Sequence, residues 1–358
     1  AKHQRSQAYL LFDYKKNYCP SNILDPVATD TLPKIENITK LADELEGRRK
    51  VLDRYTIDEL ICIIDKAAQK WMNPDSHLMP LRTQGLQFLS GWCRAQSLRS
   101  VADQSLRGAR GLLDSPRSLL GMNRRLIFAR PRGLVAHWLA GNVPLLGMLA
   151  LVQCILTRNC NLLKASNTFS SVLPALLDTF RDLVVKDIGG RTLLGNDILK
   201  AITVVYYPRE DIVSAEAMSQ SSDVRIAWGG RSAVENIMNL PRRYGSEDII
   251  FGPKLSYMAI GRDMLKTERL VRRYARRAAT DASVFDQYAC ASPHTIFVES
   301  GGEAASPKDF AKLLAAEMDK ALVRIPKAPV DSDTAAQIES IRLHYELTGD
   351  LWKSNNTD

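Results

Sequence analysis

Three observations predict an α/β fold with a mainly parallel sheet. From residue 145 onward, helical patterns alternate with short apolar runs, the order that buries a parallel sheet beneath helices on both faces. At 358 residues the chain is about twice the usual span of one domain, so two domains are expected. The composition, 45% hydrophobic and 25% charged, is that of a soluble globule and excludes collagen-like, low-complexity and largely disordered chains.

The elements follow in order. The N-terminal third reads as helical: Thr56 and Glu59 form a capping box, after which Leu60, Ile64, Ala67 and Trp71 recur at helical spacing. A second helix is expected near Leu86, Leu89 and Cys93, and the Arg-rich stretch 106–125, broken by Gly and Pro, reads as a connection. Leu126–Ala129 and Gly133–Leu139 read as extended segments around Pro131. A helix carrying Met148, Leu151, Val152 and Ile155 then precedes the strand Asn161–Lys164. The next helix should present Leu173, Leu176, Leu177, Phe180 and Val184 on one face. Strands Ile202–Tyr206 and Val224–Trp228 flank a helical stretch at 211–220. Beyond Gly252 come a strand (Ser256–Ile260), a long basic helix (262–280), a strand (Thr295–Val298) and a helix over 307–323.

Charge and cysteine content narrow the class. Lys and Arg number 48 against 40 Asp and Glu, a net +8, too modest an excess over this length to imply nucleic acid but favourable to anionic partners such as phosphorylated cofactors. The six cysteines show neither C-x-x-C pairs nor zinc-type spacing, so no metal is expected and a reduced, cytoplasmic protein fits best. Residues 133–157 form 25 uncharged positions, long enough to span a bilayer. Gly141, Asn142, Pro144 and Gly147 interrupt that run, which suits a strand turning into a buried helix rather than a membrane span. No signal-peptide pattern opens the chain, and its start at Ala1 rather than Met implies a trimmed or partly observed product.

Five places have the residue types for chemistry. Cys290 lies in Asp286-Gln-Tyr-Ala-Cys290 before a strand, between small neighbours that let a carbonyl approach the sulfur; the plain alternative is an inert buried thiol. Asn142, in Leu139-Ala-Gly-Asn-Val-Pro144, has an amide that either points at a developing oxyanion or simply makes a turn. Lys164, followed by Ala165, Ser166 and Asn167, ends a strand where α/β proteins bind ligands, although a solvated lysine would look the same. Gly229 and Gly230 form a strand-to-helix turn whose amides can approach a pyrophosphate, as any tight turn could. Arg269, Arg272, Arg273, Arg276 and Arg277 share a helix face, either solvated or set to bind a phosphate or an acidic protein. No G-x-G-x-x-G fingerprint follows any strand.

In order along the chain, Leu139-Ala-Gly-Asn-Val-Pro144, Ile226-Ala-Trp-Gly-Gly230, Phe251-Gly-Pro-Lys254 and Asp286-Gln-Tyr-Ala-Cys290 resemble the aldehyde dehydrogenase superfamily, and within it the LuxC-type acyl reductases. Pro131-x-Gly133 before Asn142-x-Pro144 keeps the same spacing, and the likeness runs from about residue 40 to the end. The resemblance implies a Rossmann-like parallel-sheet cofactor domain over 1–250, helical at its N-terminus, and a second α/β catalytic domain over 251–358 that is partial. It implies oligomerisation strands within 118–136 and a homo-oligomer. It also implies Cys290 as acyl acceptor, Asn142 as oxyanion donor, and a dinucleotide held by Lys164, Ser166, Asn167, Gly229, Gly230 and Gly252 without the missing fingerprint.

Two departures from the superfamily pattern shape the expected activity. Aldehyde oxidisers carry a water-activating glutamate where this chain has Ile250, with Glu247 and Asp248 close by; without that base a thioester intermediate persists for reduction. NAD-preferring members carry a glutamate where this chain has Asn167, which implies NADPH as cofactor. The resulting expectation is NADPH-dependent reduction of an acyl thioester, presented as acyl-CoA or on an acyl-carrying partner protein, to aldehyde. The alternatives are NADP-dependent aldehyde oxidation on the same fold, and a non-redox cysteine acyltransferase or acyl carrier. His137 is either a proton-transfer group or a core histidine.

Overall fold

A computed structural model describes residues 7–16, 23, 29–118, 125–141, 143, 145–167, 170–287, 289–325, 327, 330 and 332–353, without the side chains of Thr83 and Asp286. The chain divides into two compact units, one comprising Ala1–Leu81 and Leu86–Pro253, the other Arg82–Gly85 and Lys254–Asp358.

The first unit contains strands β1 (Ala8–Phe12), β2 (Lys34–Ile35), β3 (Leu134–Trp138), β4 (Cys160–Lys164), β5 (Val184–Lys186), β6 (Thr192–Leu194), β7 (Ile202–Tyr206), β8 (Val224–Trp228) and β9 (Glu247–Phe251). Its helices are α1 (Ile38–Gly47), α2 (Ile57–Trp71), α3 (Leu86–Trp92), α4 (Ala95–Ser105), α5 (Leu146–Leu156), α6 (Val172–Asp178), α7 (Gly195–Leu199), α8 (Ile212–Ser221) and α9 (Arg231–Met238). Among the described residues a seven-stranded sheet runs in the order β2-β1-β7-β4-β3-β8-β9. The pairings from β7 across to β9 are parallel, and β1 joins β7 antiparallel. Chain order leaves β3 in two directions, toward β4 and β7 on one side and toward β8 and β9 on the other. That reversal is the switch point outside which parallel sheets hold ligands, at their carboxyl ends.

The central strands form because both of their faces are covered. Every residue of Leu134-Val-Ala-His-Trp138 is buried, as are the first four of β4, β7 and β8. The capping box of α2 is present: Glu59 N donates to Thr56 Oγ1 at 3.2 Å and Thr56 N donates to Glu59 Oε2 at 2.6 Å. Leu60, Ile64, Ala67 and Trp71 on that helix are fully buried in the main core. Gly133 enters β3 with φ +132, and an added Cβ there would collide with Asp223 Oδ2. That oxygen accepts the Leu134 N–H at 2.9 Å, so the glycine lets a carboxylate cap the start of the strand.

Arg225 crosses the sheet between β8 and β9. It is fully buried, and its guanidinium donates to Asp248 at 2.7 and 2.6 Å, to Ser219 Oγ at 2.9 Å, and to the Ile237 and Leu240 carbonyls at the end of α9 at 3.2 Å. One side chain thereby satisfies orphan carbonyls of a helix end and fixes the edge strand.

The second unit holds a parallel pair, β10 (Ser256–Ile260) and β11 (Pro293–Val298), with helices α10 (Glu268–Ser283), α11 (Pro307–Arg324) and α12 (Ser332–Thr348). α10 is the crossover between the two strands. Its buried face (Val271, Ala275, Ala278) packs with Ile260, Leu265 and Phe310 in a small separate core.

β1 and β2 interrupt the N-terminal third that was expected to be helical, β9 was not foreseen as a strand, and two expected elements have other bounds. Val184 is not on the helix with Leu173: α6 stops at Asp178, and Val184 opens the hairpin β5–β6, where it is 59% exposed. The basic helix does not begin at Arg262. A 3₁₀ turn covers Arg262–Leu265, and Thr267 then caps α10 by accepting the Leu270 N–H at 3.3 Å. Within 118–136, residues 119–124 lie outside the described residues; beside them Arg117 and Ile127 make an isolated antiparallel bridge. No described helix is long and apolar enough to cross a membrane.

Candidate active site

In the first unit, one edge of the sheet gathers most of the residues singled out from the sequence. Lys164 ends β4, Gly229 follows β8 and Gly252 follows β9, all at carboxyl ends of parallel strands around the switch point. Ser166 is half-buried and Asn167 exposed in the loop after β4. Gly229 N donates to the Phe251 carbonyl at 3.2 Å, which ties the ends of β8 and β9 together. An added Cβ would meet nothing within 4 Å at Gly230 or Gly252, so both backbones border open space. Asn142 lies outside the described residues.

Lys164 is the electrostatic feature of this edge. It is half-buried and makes no salt bridge among the described residues. Burial pulls its pKa below the ordinary lysine value, and the charge of Glu210 opposes that pull. Its Nζ lies 5.4 Å from the Tyr207 ring centroid and 5.9 Å from that of Tyr206, so aromatic faces stand where a carboxylate would. A strand-end ammonium held this way is available to an anionic or hydroxyl-bearing ligand.

The sequence reading missed the part played by four aromatic residues here. Besides the tyrosine pair, Trp228 stacks on Phe251 with ring centroids 3.8 Å apart and planes 9° from parallel. The Trp228 Nε1–H is buried and lacks a partner among the described residues, a donor without an acceptor at the end of β8. The adjacency of Trp228 to Gly229 and of Tyr206 to Tyr207 was visible as signal; the pairing of Trp228 with Phe251 needed the β8–β9 register.

His137 is a core histidine. It is fully buried, its Nε2 is 3.0 Å from Asn161 Oδ1, and burial pushes its pKa down to about 4, so it is neutral at physiological pH. Ile250 sits on β9 with no carboxylate of its own. Of its two neighbours, Glu247 pairs with Arg132 and Asp248 is held by Arg225.

In the second unit, Cys290 occupies the turn between α10 and β11 and is exposed. Its carbonyl accepts a hydrogen bond from Ser256 Oγ at 2.5 Å, and Ser292 N donates to the Ala289 carbonyl at 3.0 Å, closing the turn around it. Phe285 and Gln287 precede it with φ of +55 and +62, left-handed values unusual for side-chain-bearing residues. Gly85 makes room for that segment, since an added Cβ would lie 2.6 Å from the Phe285 ring. The other described thiols are poor nucleophiles: burial pushes Cys93, Cys154 and Cys160 up to about 12 and raises Cys62. Tyr288 lies outside the described residues.

Comparison with known proteins bears on the family and the fold. The family model described as acyl-CoA reductase (LuxC) matches residues 39–357. A long-chain acyl-protein thioester reductase of Photorhabdus laumondii is 32% identical over 206 residues, 57% of this chain and 39% of that protein. The reductase of the same description from Vibrio harveyi is 28% identical over 335 residues, 88% of this chain and 65% of that protein. The chain thus spans less than two thirds of the length of these relatives. Among solved structures, an indole-3-acetaldehyde dehydrogenase complexed with NAD+ superposes with a TM-score of 0.58 at 13% identity, covering 97% of this chain and 71% of the other, a likeness of fold.

Proposed function

This chain belongs to the acyl-CoA reductase (LuxC) family, and on that premise we propose that it takes an acyl group from a thioester onto Cys290 and reduces it to an aldehyde with NADPH. The observation that carries the reading is the exposed thiol of Cys290, on a tight turn, in a chain whose buried thiols are held protonated. The acyl donor is an acyl-CoA or an acyl-carrying protein; the relatives above are named for acyl-protein thioesters.

The residues divide the work as follows. The Cys290 thiolate attacks the thioester carbonyl, and the side-chain amide of Asn142 and the N–H of Cys290 donate to the oxyanion, an effect worth roughly 3–4 kcal/mol per donor. The donor thiol departs and leaves the acyl group on Cys290. The nicotinamide, when bound, supplies the hydride. Collapse of the hemithioacetal on Cys290 then frees the aldehyde and restores the thiolate. Ile250 cannot activate water, and the arginine partners of Glu247 and Asp248 keep those carboxylates engaged, which favours reduction over hydrolysis.

For the cofactor, the fit lies in the ammonium of Lys164, which has no ion pair among the described residues, the open backbone at Gly230 and Gly252, and the indole N–H of Trp228, without a partner among the described residues. Lys164 would hold a ribose or phosphate, Ser166 and the neutral Asn167 would accommodate a 2′-phosphate, and Gly229 and Gly230 would admit the pyrophosphate. In this scheme residues 1–250 bind the dinucleotide, residues 251–358 contribute part of the catalytic domain, the segment 118–136 contributes to a homo-oligomer, and the enzyme works in the cytoplasm.

The test is to incubate the full-length protein with tetradecanoyl-CoA and NADPH, following absorbance and aldehyde together. One aldehyde per NADPH consumed is expected. Steady acid formation from aldehyde and NADP+ would point to oxidation instead, and labelled Cys290 with no NADPH consumed would point to acyl transfer.

A second expectation concerns Lys164→Met. Because the fold lowers this lysine's pKa, its ammonium costs stability below the folded pKa, and that cost disappears as pH rises through that value toward 10.5. The methionine variant should therefore melt higher than wild type at neutral pH, with the gap closing in alkali. Its dissociation constant for NADPH, measured by calorimetry, should rise about tenfold. An unchanged NADPH affinity would remove Lys164 from the cofactor site.

A further inference from the structure

The exposed side of α10 presents Arg269, Arg272, Arg273, Arg276 and Arg277, while Val271, Ala275, Ala278, Ala279 and Ala282 bury the other side. The five arginines are three or four residues apart in five pairings, and each such like-charge pair opposes the helix. Little nearby relieves the repulsion. Arg272 reaches Glu268 only at 3.8 Å, Arg277 lies 5.8 Å from the Tyr274 ring centroid, and Arg269, Arg273 and Arg276 have no ion pair among the described residues. By contrast Arg94, Arg99, Arg231, Arg243 and Arg262, also at the surface, each have a carboxylate. A face needed only for solvation is better served by mixed lysine and glutamate. Arginine is the cation that protein interfaces enrich, because its planar fork grips carboxylates two bonds at a time.

The position of the face matters as much as its charge. α10 ends at Ser283 and runs through Val284–Gln287 into the turn that carries Cys290. At a rise of 1.5 Å per residue, Arg277 stands about 9 Å and Arg269 about 21 Å from that end of the helix. A partner held along the stripe would therefore keep a flexible thioester arm near the thiol. A single half-buried aromatic, Tyr274, accompanies the arginines, and with no aromatic platform the face suits carboxylates better than bases.

We propose that this arginine face docks an acidic, acyl-bearing protein, the donor that loads Cys290; the inference rests on Cys290 being the acyl acceptor. On docking, donor carboxylates pair with the guanidiniums. The Cys290 sulfur then bonds to the acyl carbon as the donor carbon–sulfur bond breaks, and the donor thiolate takes up the proton that Cys290 gave up.

The test uses the full-length protein and its Arg269→Gln/Arg273→Gln/Arg276→Gln variant, in which the repulsion is relieved, so its melting temperature should not fall. Acylation of Cys290 is followed by intact mass from three donors: a tetradecanoyl-loaded acyl carrier protein, tetradecanoyl-CoA, and the uncharged S-tetradecanoyl-N-acetylcysteamine. The expected result is at least a tenfold slower reaction with the carrier protein, a change of less than twofold with the uncharged thioester, and loss of the wild-type rate's steep decline with salt. Equal slowing with all three donors, slowing with CoA as large as with the carrier protein, or no slowing would overturn the proposal. So would capture of a DNA duplex by wild type but not variant, without any effect on the carrier protein. Binding of the unloaded carrier protein, measured by surface plasmon resonance, separates the two readings. If no donor acylates Cys290, the catalytic reading fails, while binding that the variant loses still supports the docking face and binding that it keeps refutes it.

Discussion

Cys290→Ser loses acylation by roughly 10⁴-fold or more while binding NADPH within about twofold of wild type. The size of the loss follows from the atom exchanged: sulfur is the stronger nucleophile, and no general base is described beside this position to activate a serine hydroxyl. The separation of the two effects follows from the size of the change, since serine differs from cysteine by one atom and Cys290 is not among the residues assigned to the dinucleotide. Intact mass after incubation with tetradecanoyl-CoA measures the adduct, and calorimetry measures NADPH. A serine variant that still gains one acyl group per chain, on any residue, would place the nucleophile elsewhere.

Arg225→Met is expected to lower stability by about 3–5 kcal/mol, roughly 10 °C or more in melting temperature. The variant leaves the Asp248 carboxylate, 17% exposed, without its bidentate partner and strips donors from the carbonyls at the end of α9. Arg242, 3.6 Å from Asp248, is too exposed to take over. Adding Asp248→Leu should recover much of the loss, since a buried ion pair replaced as a whole is far less damaging than one broken in half. Calorimetric melting of the single and double variants checks this, and a double variant no more stable than Arg225→Met would contradict it.

What could be read from sequence depended on how much of an element's pattern came from its own burial. β7 and β8 are covered on both faces, so their apolar runs coincide with the strands themselves. β9 lies at the sheet's edge and alternates exposed and half-buried residues behind Glu247 and Asp248, so its sequence looked like a motif rather than a strand. Val184 was misread because Leu176, Phe180 and Val184 fall four residues apart, a helical period arising here from a helix end, a turn and a hairpin. Thr267 was overlooked as a cap because basic residues continue across it.

The same distinction holds at the site. Lys164, Gly229 and Gly252 stand out because strand ends are local features. The Trp228–Phe251 stack, the tyrosine rings around Lys164 and the room that Gly85 gives Phe285 depend on which strands and segments become neighbours. No local spacing encodes those neighbours.

Gly133 has a consequence for how this chain can diverge. Its backbone angle and the carboxylate of Asp223 close against it leave room for a hydrogen and nothing larger. Arg132 beside it is solvent-facing in part and free to vary with its ion partner, but position 133 has a one-letter alphabet. A lineage that lost that letter would have to rebuild the threshold of its central strand, with Asp223 and Leu134 changing in concert.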